Sequence, residues 1–147
     1  MSGCCPNSHW RIGFLTWMHT GDLVRIDQDG YITSVDRKKD MINTGGESVY
    51  SFEIEEVLRR HDAVAEVAVI GIPDEKWGEA VKALVILTPE KKSTQEELTS
   101  HCRSRVAGFK CPKSVEFCTS FPWTGFGKVA KNELRDEYWK GYDRKDH

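Results

Sequence analysis

Two apolar runs lie almost back to back in the middle of the 147-residue chain, VAEVAVIGIPD from Val64 and AVKALVILTP from Ala80, and they restrict the fold more than any other feature. Each reads as a strand closed by a proline, Pro73 and Pro89, because proline offers no N–H to a sheet ladder. The longest such stretch, AVAEVAVIGI from Ala63, is far short of the ~20 residues a membrane-spanning helix needs.

The flanking segments supply the other elements. From Thr20, TGDLVRIDQDGYITSVDR alternates apolar and polar residues around Asp29-Gly30, a turn pair that predicts a hairpin of residues 23–27 and 31–35. Residues 41–43 are strand-like, Thr44-Gly45-Gly46 must bend, and residues 48–50 return as a second small strand. Ser51 is a suitable N-cap for a helix over 52–60 with Ile54, Val57 and Leu58 on its buried stripe. Ser93 and Glu96 have capping-box spacing and open a helix to about Val106. KSVEFCTSF reads as a further strand, and Val129, Leu134, Tyr138 and Trp139 form one apolar face of a last helix. The order is α+β: a small N-terminal hairpin, then a compact domain with a two-stranded hairpin and a three-stranded sheet packed by helices. The charged, aperiodic run 37–40 reads as a boundary, dividing the chain into residues 1–37 and 38–147.

Composition removes several classes of function. A net charge of −2 with mixed signs leaves no basic field for nucleic acid. The N-terminus has no basic stretch followed by an apolar core, so no signal peptide is read, and a soluble cytoplasmic protein is expected. Five cysteines, Cys4 and Cys5 among them, include no CxxC pair and no zinc spacing, which suits reduced thiols. The five histidines lack metal or nucleophile partners, and only His19, beside Thr20, lies close to a candidate site.

A few residues remain as candidates for chemistry. Lys128 follows TGFG, but Pro122 and Val129 stand where a nucleotide-hydrolase loop needs Gly and Ser or Thr. Gly125 and Gly127 still allow a loop that swings a lysine toward an oxyanion or phosphate; the plainer alternative is a solvated lysine before a helix. Asp22, after Thr20-Gly21, is either a ribose-binding carboxylate or a turn aspartate. Arg37 either forks onto phosphate or ribose oxygens or belongs to a solvated linker. Gly45 and Gly46 make a simple turn, a backbone nest, or a surface flat enough for a narrow ligand tunnel. Trp77 is packed over a sheet edge or exposed as a stacking platform.

Taken in order, HTGDLVRIDQDGYITSVDRKKDMINTGGESVYSFEIEEVL, VAEVAVIGIPDEKWGEAVKALVIL, FKCPKSVEF and FPWTGFGKVAKNELR resemble the C-terminal part of adenylate-forming acyl-CoA synthetases of the AMP-binding enzyme superfamily, most closely the fatty-acid–CoA ligases. The resemblance runs from Trp17 to Trp139. It implies ATP and coenzyme A as substrates, with Mg2+ accompanying ATP but no ligands for it here. It implies that Asp22 and Arg37 contact ATP and that Lys39 is the hinge about which a small domain rotates between acyl-adenylate and thioester formation. Gly45 and Gly46 would line the pantetheine tunnel; Trp77 and Phe109 would flank the CoA nucleotide, with Lys110 or Lys113 near its phosphates. Lys128 would be the adenylation lysine. The sequence departs from the family where Trp123 replaces a basic residue, Phe126 a small hydroxyl residue, and Cys111 a residue that is sometimes basic. The resemblance assigns the phosphate-binding loop, adenine site and acyl pocket to a large N-terminal adenylation domain, and a chain holding one wall of a cleft is expected to be inactive alone. The alternative is a stand-alone interaction module that complements a separate adenylation domain or forms a homodimer through an exposed face containing Trp77, Trp123 and Phe126.

Overall fold

A computed structural model describes residues 20–142. Cys4, Cys5, Trp17 and His19 lie outside the described residues. The element order follows the expected alternation. β1 (Asp22–Ile26) and β2 (Ile32–Arg37) form a hairpin, followed by a 3₁₀ turn at Lys38–Asp40. Next come β3 (Ile42–Thr44), β4 (Glu47–Val49), α1 (Ser51–Arg59), β5 (Val64–Asp74), β6 (Gly78–Leu87), α2 (Gln95–Arg103), β7 (Ser114–Phe117) and α3 (Lys131–Asp136).

The two apolar runs pair antiparallel from Val64↔Leu87 to Asp74↔Gly78. β6 is the spine of the main sheet. β5 lies along one side; on the other, β3 meets its start through Thr44↔Gly78 and β7 runs parallel to its middle. The β3–β4 hairpin therefore joins β5, β6 and β7 in one five-stranded sheet. Pro73 does not end β5: it pairs with Glu79, and the strand continues to Asp74. Among the described residues β5 has β6 as its only neighbour in the sheet, and an edge strand tolerates a residue without an N–H.

Successive residues of β5 and β6 enter two different cores. Val67, Val69, Val81, Ala83 and Val85 pack with Ile54 and Leu58 of α1 and Leu98 and Cys102 of α2. Ala68, Ile70 and Leu84 pack on the opposite face with Phe121, Val129, Leu134 and Tyr138. Because both faces are covered, these strands are continuously apolar rather than alternating.

Two caps differ from expectation. Ser51 lies inside α1, and Tyr50 at the N-cap position makes no side-chain cap. The Asp36 carboxylate from β2 accepts the Phe52 N–H instead, so the cap comes from a distant part of the chain. The capping box of α2 is Thr94 with Glu97, one residue later than Ser93 and Glu96; Ser93 adds a hydroxyl donor to the Glu97 carboxylate. α2 also ends at Arg103 rather than near Val106. No described helix is long and apolar enough to cross a membrane.

Candidate functional site

Asp22 and Arg37 face each other at the open end of the first hairpin, Arg37 Nε 3.7 Å from Asp22 Oδ1. The pairing follows from the turn and from a bulge. Asp27 Oδ1 accepts the Asp29 and Tyr31 amides, Gly30 takes a φ of +87°, and Ile26 lies opposite Ile32; a register shift between Leu23 and Val24 then puts Asp22 opposite Arg37 rather than Asp36. Both side chains are well exposed, so a polyhydroxyl or phosphate ligand can replace the ion pair at small cost.

The hinge candidate Lys39 sits in the 3₁₀ turn immediately beyond this pair. Its carbonyl accepts a hydrogen bond of 3.0 Å from Arg135 of α3, and Arg135 Nη2 also lies 2.7 Å from Asp40 Oδ1. Arg135 is 5% exposed, an unusual setting for arginine, and its Nε has no hydrogen-bond partner among the described residues. Sequence reasoning missed it. The only available signal was a charge at a position following the apolar face of the last helix.

Gly45, Gly46 and Trp77 are brought together. The Gly45 amide donates to the Trp77 carbonyl at 2.8 Å, and Gly45 has a φ of +61°. A Cβ at Gly45 would stand 2.7 Å from the Trp77 ring, so only glycine lets the ring lie against this turn. Trp77 remains 44% exposed. Lys76 and Lys113 hold ammonium groups 4.8 and 5.3 Å from its ring centroid. Asp74 organises the platform: its carboxylate accepts the Trp77 and Lys76 amides and pairs with Lys113 at 3.2 Å. The Trp77 amide first, and Lys113 among the other contributors, hold its carboxyl below the usual range. Beside this platform is a groove of about 530 Å3, lined in part by Asn43, Gly46, Glu79, Trp139 and Tyr142. Its wall depends on Glu79, a buried carboxylate that accepts the Asn43 amide and was not anticipated from the sequence.

Phe109 and Lys110 occupy a 3₁₀ turn before β7. Phe109 is exposed, whereas Lys110 is held by both carboxylate oxygens of Glu53 at 2.7 and 2.9 Å. A phosphate contact by Lys110 therefore competes with Glu53. Lys113, nearer to Trp77, is shared with Asp74.

Lys128 lies on a tight loop. Trp123 pairs with Val129, Thr124 N–H donates to the Lys128 carbonyl at 2.7 Å, and the Lys128 amide donates to Thr124 Oγ1 at 3.2 Å. Gly127 supplies the left-handed residue, with a φ of +72°. The backbone of Lys128 is thus fixed, while its ammonium has no partner among the described residues. Phe126, at the loop tip, is 95% exposed. No ion pair or hydrogen bond joins Lys128 to Asp22 or Arg37 among the described residues. These residues likewise include no group of three or more His, Cys, Asp or Glu side chains placed to hold a metal ion.

Residues 53–128 match the model of the AMP-binding enzyme C-terminal domain. The chain belongs to this family. The long-chain-fatty-acid–CoA ligase of Yersinia pestis is 50% identical over 121 residues, covering 82% of this chain and 21% of that protein. A feruloyl-CoA synthase of Amycolatopsis sp is 46% identical over 122 residues, covering 83% of this chain and 25% of the relative. The crystal structure of ATP-bound MatB from Rhodopseudomonas palustris superposes with a TM-score of 0.78 at 38% identity, covering 84% of this chain and 25% of that one. The chain therefore spans a fifth to a quarter of the length of these relatives, and it matches the C-terminal domain of AMP-binding enzymes.

Proposed function

We propose that the chain forms the C-terminal lid of an ATP-dependent acyl-CoA ligase of the fatty-acid–CoA type. In this reading residues 38–147 are the lid, and residues 1–37, including the first hairpin, belong with a large adenylation domain that completes the cleft. In the first half-reaction a carboxylate oxygen attacks the α-phosphorus of ATP, pyrophosphate leaves, and an acyl-adenylate remains. In the second, the sulfur of coenzyme A attacks the acyl carbon and AMP leaves.

The observation that carries the reading is the state of Lys128: a backbone held by two hydrogen bonds to Thr124 beside the Trp123–Val129 bridge, and an ammonium with no partner among the described residues. Such a cation is ready to stabilise charge developing between carboxylate and α-phosphate on an opposing wall. Asp22 and Arg37 offer an acceptor and a donor to the ribose and phosphates of ATP. Gly45, Gly46 and Trp77 form a flat, aromatic surface suited to pantetheine and a stacked base, with Phe109 and Lys110 as further CoA contacts. In this reading magnesium arrives with ATP, held by its phosphates. The acyl pocket is assigned to the large domain: relatives named for feruloyl-CoA and for long-chain fatty acids resemble this chain to nearly the same extent. A cytoplasmic setting fits the three free thiols of the described residues, Cys102, Cys111 and Cys118.

The test combines the chain with a matching adenylation domain. Lys128→Ala is expected to slow pyrophosphate release by roughly 10²–10³-fold, while thioester formation from pre-made acyl-adenylate keeps its rate. Equal loss in both steps would remove Lys128 from its role. By itself the chain should release no pyrophosphate from ATP and a fatty acid. A second reading, an interaction module that self-associates, draws support from the exposure of Trp77, Trp123 and Phe126.

A further inference from the structure

Two polar ties meet near the hinge candidate, and only one of them crosses it. Arg135 binds the Lys39 carbonyl and Asp40, so it fastens the turn to the lid and would travel with the lid. The other tie starts before the hinge. Asp36, on β2, accepts the Ser51 hydroxyl at 3.0 Å and the Phe52 amide at 3.3 Å, both at the start of α1. Ser51 is fully buried and in turn accepts a hydrogen bond from Lys131 Nζ at 2.9 Å. Lys131 pairs with buried Glu55 at 2.7 Å, and Glu55 also accepts the Val69 amide. The chain of contacts thus runs from the hairpin, over the hinge, to the first residue of α3, three positions past Lys128.

We propose that Asp36 is the positioning residue of a latch: it holds hairpin and lid in one relative orientation and is released when the lid rotates. This inference rests on the lid reading given above. The construction of the lid side makes the latch reversible. When Asp36 departs, Lys131 keeps Glu55, Glu55 keeps the Val69 amide, and Ser51 keeps the Lys131 donor. Only one hydroxyl proton and one amide lose a partner. The Phe52 amide lies at the half-exposed start of α1, where water can take over. No buried charge is stranded, so opening does not carry the penalty of breaking a desolvated ion pair. Two hydrogen bonds to a carboxylate bias the closed arrangement by roughly ten- to a hundredfold.

Limited trypsin digestion of the chain tests this directly, since Lys38 and Lys39 are exposed in the hinge turn and Lys91 and Lys92 are exposed at a distant site. Asp36→Ala is expected to raise the cleavage rate at Lys38–Lys39 about tenfold while the rate at Lys91–Lys92 changes far less; loss of the α1 cap lowers the melting of the lid only slightly. Ser51→Ala, which keeps the Phe52 bond, should give a smaller increase, and Asp36→Glu should restore much of the protection. Unchanged hinge cleavage in Asp36→Ala overturns the latch, as does an equal increase at both sites. In the mixture with an adenylation domain, Asp36→Ala should alter the ratio of adenylation to thioester-forming rates severalfold. Faster hinge cleavage without any acyl-adenylate formation leaves the tie standing and fells the ligase reading. Normal adenylate formation with unchanged cleavage and an unchanged rate ratio fells the latch alone.

Discussion

The two sheets of this molecule both carry large apolar side chains, and these end in opposite situations. In the five-stranded sheet, helices α1 and α2 cover one face and α3 with Phe121 covers the other, so β5 and β6 bury nearly every apolar side chain they carry. In the two-stranded sheet, Val24, Ile26, Tyr31 and Ile32 all remain exposed, Tyr31 at 72% and Ile32 at 68%. Alternation tells that a strand has an apolar face. It does not tell what covers that face. An isolated hairpin is marginal in water, and this one relies on its Asp27 turn, the backbone bond from Lys38 N–H to the Gly21 carbonyl, and the Asp36 contacts with α1. The five-stranded sheet has apolar cores on both faces, whereas the hairpin leaves its apolar side chains exposed, where the proposed adenylation domain would cover them.

The sharpest way to break that contrast is a pair of truncations. Leu58→Ala empties a fully buried position of the core and should cost about 2–5 kcal/mol in urea unfolding. Ile32→Ala should stay within about 0.5 kcal/mol. A loss at Ile32 comparable to that at Leu58 would show that something within the chain covers the hairpin after all. A smaller effect sharpens the comparison inside the lid. Gly45 and Gly46 both have left-handed backbones, but only Gly45 faces Trp77 at a distance that excludes a Cβ. Gly46→Ala should cost about 1 kcal/mol from backbone conformation alone. Gly45→Ala should cost about 1–2 kcal/mol more, with a changed near-ultraviolet dichroism as the Trp77 ring is displaced. Equal costs would mean that the ring yields freely and is not held against the turn.

Most of the architecture was legible because it rests on local signals. The Asp29-Gly30 turn, the two apolar runs and the 3.6-residue stripe of Ile54 and Leu58 each specify an element without reference to the rest of the chain. Motif order, rather than any single residue, made Lys128, Asp22 and Trp77 candidates for one site family. What escaped was non-local. Ser51 has the chemistry of a cap, but its hydroxyl is drawn into the Asp36–Lys131 network, and a carboxylate 16 residues away caps the helix instead. Pro73 was tolerated because β5 lies at a sheet edge, which depends on strand order. Arg135, Glu55 and Glu79 are charged residues buried by partners from other elements, and no window of sequence around them announces those partners.

The smallest expected effect concerns how α3 is fastened across the sheet. Glu116 of β7 meets Lys82 of β6 at 2.8 Å and accepts the Tyr138 hydroxyl at 2.9 Å, while Lys82 also lies 4.5 Å from the Tyr138 ring centroid. Lys82 first, then Tyr138, hold the Glu116 carboxyl below its ordinary value of 4.5, and burial together with Glu116 pushes the Tyr138 phenol up. A carboxyl with a depressed folded-state pKa binds its proton more weakly in the folded chain than in the unfolded one. Its stabilisation is therefore complete above about pH 4.5 and fades as the pH falls through the lower folded-state value. Glu116 is half exposed, so solvent screening keeps this contribution under about 1 kcal/mol. Glu116→Gln should flatten the acid limb of stability against pH by lowering the neutral plateau by up to that amount, while stability well below pH 4.5 stays little changed; high salt should shrink the difference. Leu58→Ala should lower the whole curve without altering its slope. If Glu116→Gln also lowered stability uniformly across pH, the contact would act through packing of Tyr138 rather than through charge, and α3 would be held to the sheet in the same apolar manner as α1.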